Sequence, residues 1–253
     1  MSLVQQQLVN RAFAVELTSN PAAIIAGRPA RLTLRVVHPE TGETVRRFLT
    51  AHERLFHLFI VSQDLDHFEH AHPQLQTDGS LTLDVTVPRP GLYQLYCDFV
   101  PEEGSPQLIQ RTLMTAGSAW DPALTRAALK PQLDDVETAG MRVRLQIPAS
   151  GGLVAGELQA FRVHVYDAST AQPVTDLQPF LGAPAHALIV TEDMTDAVHS
   201  HPALEYSSAT GPDIVFGAVF PRAAMYRIWV QLQREGRVGV ASFTVPVISA
   251  RGR

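Results

Sequence analysis

Several things are scarce in this sequence, and each scarcity excludes a class of protein. Cys97 is the one cysteine among 253 residues, so no disulfide can form within the chain. No apolar run approaches the roughly 20 residues that a membrane-spanning helix needs. Neither sign of charge dominates: the formal net charge is −5, with acids and bases interspersed along the chain. That excludes the basic stripe by which proteins hold a nucleic-acid backbone, and any charged tail. No glycine-rich phosphate loop, nucleophile elbow or His-Glu-x-x-His helix occurs, and no carboxylate pair stands out. A non-enzymatic role is the expectation. The N-terminal stretch "MSLVQQQLVNRAF" lacks the basic and apolar regions of a signal peptide.

What the sequence does have is a repeat rich in histidine. "HLFIVSQDLDHFEHAHP" (57–73) aligns without a gap on "HALIVTEDMTDAVHSHP" (186–202), at a constant shift of 129 positions. His57, Asp64, His70, His72 and Pro73 fall on His186, Asp193, His199, His201 and Pro202. His52 and His67 find no histidine in the second copy. The repeat thus separates a shared set from the scatter around it. At the same shift, "AGRPARLTLRVVHPETGETV" (26–45) matches "AGELQAFRVHVYDASTAQPV" (155–174). Further on the shift becomes 133, an insertion before Pro221, and "VPRPGLYQLYCDF" matches "FPRAAMYRIWVQL".

Alternation with period two marks strands with one buried face. Leu32, Leu34 and Val36 alternate with arginine and threonine; so do Phe161, Val163 and Val165 with Arg162, His164 and Tyr166. Leu81, Leu83, Val85 and Val87 form another set, and Tyr93, Leu95, Cys97 and Phe99 a fourth. Leu32, Leu34, Val36, Leu83, Val85, Leu95, Cys97, Phe161, Val163, Val165 and Ile228 are the expected core. Short strands punctuated by "HPETGE", "TDGS", "RPG" and "PEEGSP" predict an all-β chain. The expected architecture is two tandem immunoglobulin-like or cupredoxin-like antiparallel β-sandwich domains of about seven strands each. The first covers 11–116 and the second 141–247. A linker at 117–140 contains Pro122, Pro131 and a short helix-like piece, "PALTRAALK". "PGLYQL" and "AAMYRI" place a tyrosine at the start of the penultimate strand, where its hydroxyl would tie back to the backbone as a tyrosine corner, or where it simply fits a strand.

The histidine segment is apolar on both faces at "HLFIVSQ" and "HALIVTE", as in a central strand, and Asp64 and Asp193 end it at a turn. Folding back as a hairpin brings His70 and His72 beside that strand, sharing a face because they are two apart. A register pairing Val61 with His70 and Phe59 with His72 leaves His57 diagonal to His72, about 7 to 8 Å away. A slip of one residue would send His57 to the other face. Three imidazoles suit zinc, copper or nickel with an open fourth position. Asp64 and Asp193 would serve as fourth ligands or would orient an imidazole. The candidate metal ligands are therefore His57, His70, His72 and Asp64, and His186, His199, His201 and Asp193. Met194 would favour Cu(I) as a ligand but reads more simply as core. His52 and His67 could join the first site; His38 is in a turn and His164 is expected to be solvated. Cys97 reads as a buried thiol. A blue-copper site is excluded, because no histidine follows Cys97 before His164.

"HLFIVSQDLDHFEHAHP" on a small β-sandwich resembles bacterial extracytoplasmic proteins of the YtkA-like and cupredoxin-like kind, in tandem duplication. The likeness covers the histidine segment and its flanking strands in each half, about half the chain. It implies binding or handling of copper or another heavy metal in the periplasm or outside the cell, with a leader ahead of this N-terminus. The partners it implies are the metal ion and another protein in metal handling. Two readings stay open: a transition-metal binding protein for storage, delivery or sensing, using copper or zinc, and a structural or adhesion module whose histidines brace loops.

Overall fold

The computed structural model describes residues 13–38, 40–117, 129–148, 152–203 and 207–250. The chain divides into two compact units, Met1–Leu124 and Thr125–Arg253. Every strand pairing among the described residues is antiparallel but one, and no helix occurs among those residues.

In the first unit one sheet runs β1 (Ala14–Asn20), β2 (Ala30–Val37), β7 (Leu81–Val85), β6 (Gln74–Leu75). In the other, β4 (Phe56–Ser62) lies between β5 (Phe68–Ala71) and β8 (Leu92–Pro101). β9 (Gln107–Met114) pairs with the far side of β8, and β3 (Phe48–Leu49) with its end. This is the strand order of an immunoglobulin-like sandwich. The second unit repeats it. One sheet runs β10 (Val136–Thr138), β11 (Met141–Gln146), β13 (Leu158–Asp167), β16 (Asp213–Val219). The other runs β12 (Leu153–Val154), β18 (Arg237–Ile248), β17 (Ala224–Arg234), β14 (His186–Thr191), β15 (Ala197–Ser200), with β12 and β18 parallel. Among the described residues each unit has nine strands rather than the roughly seven expected, because the two- and three-residue pieces β3, β6, β10 and β12 leave little periodicity to read.

Each unit has its own core, built from the alternating positions. Leu32, Leu34, Val36, Leu95 and Cys97 are fully buried in the first, Phe161, Val163, Val165 and Ile228 in the second. Each such side chain contributes about 1.5 to 3 kcal/mol of transfer free energy. Leu83, expected in the core, is only half-buried at the rim of the first cluster. Of the segment expected as a linker, residues 118–128, with most of "PALTRAALK", lie outside those described. Beyond them the chain already belongs to the second unit: Gln132 exchanges two backbone hydrogen bonds of 2.9 Å with Thr244, and β10 pairs with β11. The insertion in the second copy falls between Pro202 and β16, where the first copy has β6.

Both tyrosine corners are present. Tyr93 Oη donates to the Arg89 carbonyl at 2.8 Å, and Tyr226 Oη to the Arg222 carbonyl at 2.8 Å. Each fixes the chain where it enters the strand that flanks the histidine-bearing one.

Candidate metal centre

The histidines lie on one face of the β4–β5 hairpin. Leu58 pairs with Ala71, Phe59 with His70 and Val61 with Phe68. The expected register is therefore wrong by two residues, not one. A slip of two keeps side-chain parity, so His57 stays on the same face and comes opposite His72 rather than diagonal to it. The cause is a tighter turn. Ser62 N–H donates to the His67 carbonyl at 3.1 Å and His67 N–H to Ser62 Oγ at 2.9 Å, while Leu65 takes a φ of 59°. The second copy has the same register, with Leu188 on His199 and Ala187 on Ser200.

His57, His70 and His72 each offer a ring nitrogen within 4.8 Å of the other two. Their ring centroids lie 5.2 Å (His57–His70), 5.1 Å (His57–His72) and 4.7 Å (His70–His72) apart. In the second copy the separations are 5.8 Å for His186–His199, 4.8 Å for His186–His201 and 4.3 Å for His199–His201.

A backbone carbonyl orients the buried histidine of each triad. Ala51 and Arg54 exchange backbone hydrogen bonds of 2.9 and 3.0 Å across His52 and Glu53, both at positive φ, as a type I′ hairpin turn requires. The Ala51 carbonyl also accepts from His57 Nε2 at 3.0 Å. The matching turn, Phe180–Ala183, carries Leu181 and Gly182 at positive φ, and the Phe180 carbonyl accepts from His186 Nε2 at 2.8 Å. A carbonyl only accepts, so Nε2 carries the proton and the Nδ1 of the neutral ring is a lone pair. Burial pushes the His57 pKa down, which keeps that ring neutral. Its Nδ1 faces His70 Nε2 at 2.9 Å. Nitrogens tetrahedrally bound to zinc at about 2.0 to 2.1 Å sit roughly 3.3 Å apart, so this pair needs to open only slightly to admit an ion.

Asp64 and Asp193 are not part of these clusters. Ser62, five residues along the extended strand from His57, is already about 17 Å away at ~3.3 Å per residue, and Asp64 lies beyond it. Asp64 Oδ1 accepts from Ser62 Oγ and, at 3.2 Å, from Asp66 N–H, while Oδ2 faces Arg89 at 3.2 Å. Asp193 accepts from Thr195 and from Arg222 Nη2 at 2.6 and 2.7 Å. Burial alone would raise the Asp193 pKa, yet hydrogen bonds from Thr195, Thr191 and Arg222 hold it well below the usual carboxylate range. The shared aspartate thus closes the turn and receives an arginine that also repeats, Arg89 on Arg222 at the shift of 133. Met194, at φ 60°, occupies the turn position of Leu65 and so lies far along the strand from the histidines. His67 sits edge-on to Tyr93, 5.8 Å between centroids, and His52 to His57 at 6.4 Å. His164 is not solvated as expected: its side chain is 18% exposed and its Nδ1 lies 2.9 Å from Asp213 Oδ1. Cys97 is a buried thiol whose pKa burial raises to about 12.

The family described as "Domain of unknown function (DUF8832)" matches residues 9–116 and again 136–249. The chain belongs to this family and carries its domain twice. Each DUF8832 repeat holds one sandwich and one copy of the three histidines, and in the first copy a ring nitrogen of each lies within 4.8 Å of the other two. No curated protein matches the chain. Among solved structures, fibronectin(III)-like modules of Clostridium thermocellum CbhA align at 12% identity over 94% of this chain and 96% of theirs, TM-score 0.25. Titin A168–169 aligns at 13% identity over 95% and 98%, TM-score 0.23. The Escherichia coli adhesin FdeC aligns at 13% identity over 93% of this chain and 65% of its own, TM-score 0.29.

Sequence reasoning missed the two carbonyls, Ala51 and Phe180, because a backbone acceptor has no residue signature. It also missed Asp98, which pairs across the sheet with His57; an isolated aspartate on a strand gave no signal.

Proposed function

We propose that this DUF8832 protein binds a transition metal, copper or zinc, through His57, His70 and His72 in the first repeat and through His186, His199 and His201 in the second. The observation that carries the reading is the repeated carbonyl. In both repeats it holds one imidazole with Nε2 protonated, so that the Nδ1 lone pair turns toward the other two rings. Donation of the far ring nitrogen to a carbonyl is how metal-binding histidines are oriented. The role is storage, delivery or sensing without catalysis, in the extracytoplasmic setting that the YtkA-like and cupredoxin-like resemblance implies. The partner would then be another protein of metal handling.

One observation favours a second reading. The 2.9 Å bond between His57 and His70 ties β4 to β5 directly, as a structural or adhesion module with braced loops would need. Thermal melts separate the two. An ion at a hundredfold its Kd stabilises the folded state by about 2.7 kcal/mol, a rise in Tm of several degrees that a chelator reverses. The metal reading expects this with Zn(II) or Cu(II), reduced in His72→Ala. The bracing reading expects no response to metal and a lower Tm for His72→Ala without any.

A further inference from the structure

The two repeats place the same three histidines in different surroundings, and of the two sets it is His57, His70 and His72 that bring one ring nitrogen each within 4.8 Å of the others. In the first, His57 pairs across the sheet with Asp98 on β8. In the second, His186 pairs with Gln231 on β17. Directly paired side chains share a face about 5 Å apart, so one triad has a carboxylate beside its buried histidine and the other an amide. The ring of His70 stacks on its cross-strand partner Phe59, 4.2 Å between centroids and 25° between planes. His199 faces Leu188, which offers no ring.

Three neutral imidazoles leave a divalent ion its full charge, and a half-buried site makes that charge costly unless an anion stands near. Resting on the metal reading above, we infer that Asp98 makes the first repeat the tighter site and the one that favours a divalent over a monovalent cation. It need not touch the ion. Its charge acts across the strand pair, and the attraction scales with the charge of the ion. Phe59 adds a fixed His70, so less ordering remains to be done on binding.

The test uses the full chain with one site removed at a time, His201→Ala to isolate the first and His72→Ala to isolate the second. Calorimetric titration with Zn(II) should find the first at least tenfold tighter. Asp98→Asn in the His201→Ala background should abolish that advantage. The same change should weaken Ag(I) binding by only about the square root of the factor lost for Zn(II), since the attraction is proportional to ion charge. Gln231→Glu in the His72→Ala background should tighten the second site, an arm that stands even if the Asp98 variant folds poorly. Equal Zn(II) affinities in the two single-site chains, or equal losses for Zn(II) and Ag(I), would overturn the inference and leave metal binding intact. No Zn(II) uptake by the parent would overturn both.

Discussion

A buried imidazole can brace by accepting and donating, or it can bind an ion with one nitrogen left bare; what decides is where its proton sits. His57 and His186 both give their Nε2 proton to a carbonyl at a type I′ turn. Holding His52 and Glu53 at positive φ is uncommon for residues with a side chain, and backbone strain of this kind is retained where the surrounding structure uses it. Burial also lowers the pKa of His52, His57 and His67. A histidine whose folded pKa is depressed is neutral in both states above about 6.5, but below it the unfolded chain takes up the proton first. Stability of the metal-free protein should therefore fall as pH drops from about 6.5 toward those lower folded values. Urea unfolding at pH 7.5, 6 and 5 checks this, and a flat profile would show these rings to be hydrated. The aspartates act through the turn instead. Their retention in both copies was legible in the sequence, but the bond that keeps them was not, because Arg89 and Arg222 lie in the stretch with the other shift.

At the level of the strand and hairpin, periodicity told most of the story. β2, β7, β8 and β13 stand where alternation placed them, β17 where the repeat placed it, and β4 is buried along its whole length, as its apolar run suggested. The hairpin register was not legible, because Leu65 and Met194 occupy left-handed turn positions for which neither residue carries a signal. The tyrosine corners fix the chain where it enters the strand beside this hairpin. Tyr93→Phe leaves the Arg89 carbonyl without its hydroxyl donor and should cost about 1 to 3 kcal/mol, and Tyr226→Phe the same. Chemical denaturation gives the cost directly; variants as stable as the parent would mean that the hydroxyl bonds are replaced by water.

Across the molecule the duplication sets the logic. Each unit has a separate core, so damage to one should leave the fold of the other. Leu34→Ala or Leu95→Ala, at fully buried sites of the first core, should cost about 2 to 5 kcal/mol there. Calorimetric melting should then resolve a shifted first transition and an unshifted second; a single shift of both would show the cores to be one cooperative body. Two units with one triad each also set the stoichiometry that bears most directly on function. Titration calorimetry with Zn(II) or Cu(II), on untagged parent and on the His72→Ala, His201→Ala double variant, measures it. The parent should take up metal at both sets of histidines, two ions per chain, and the double variant none. Equal uptake by the two proteins would contradict this, because the ion would then be held by something other than these histidines.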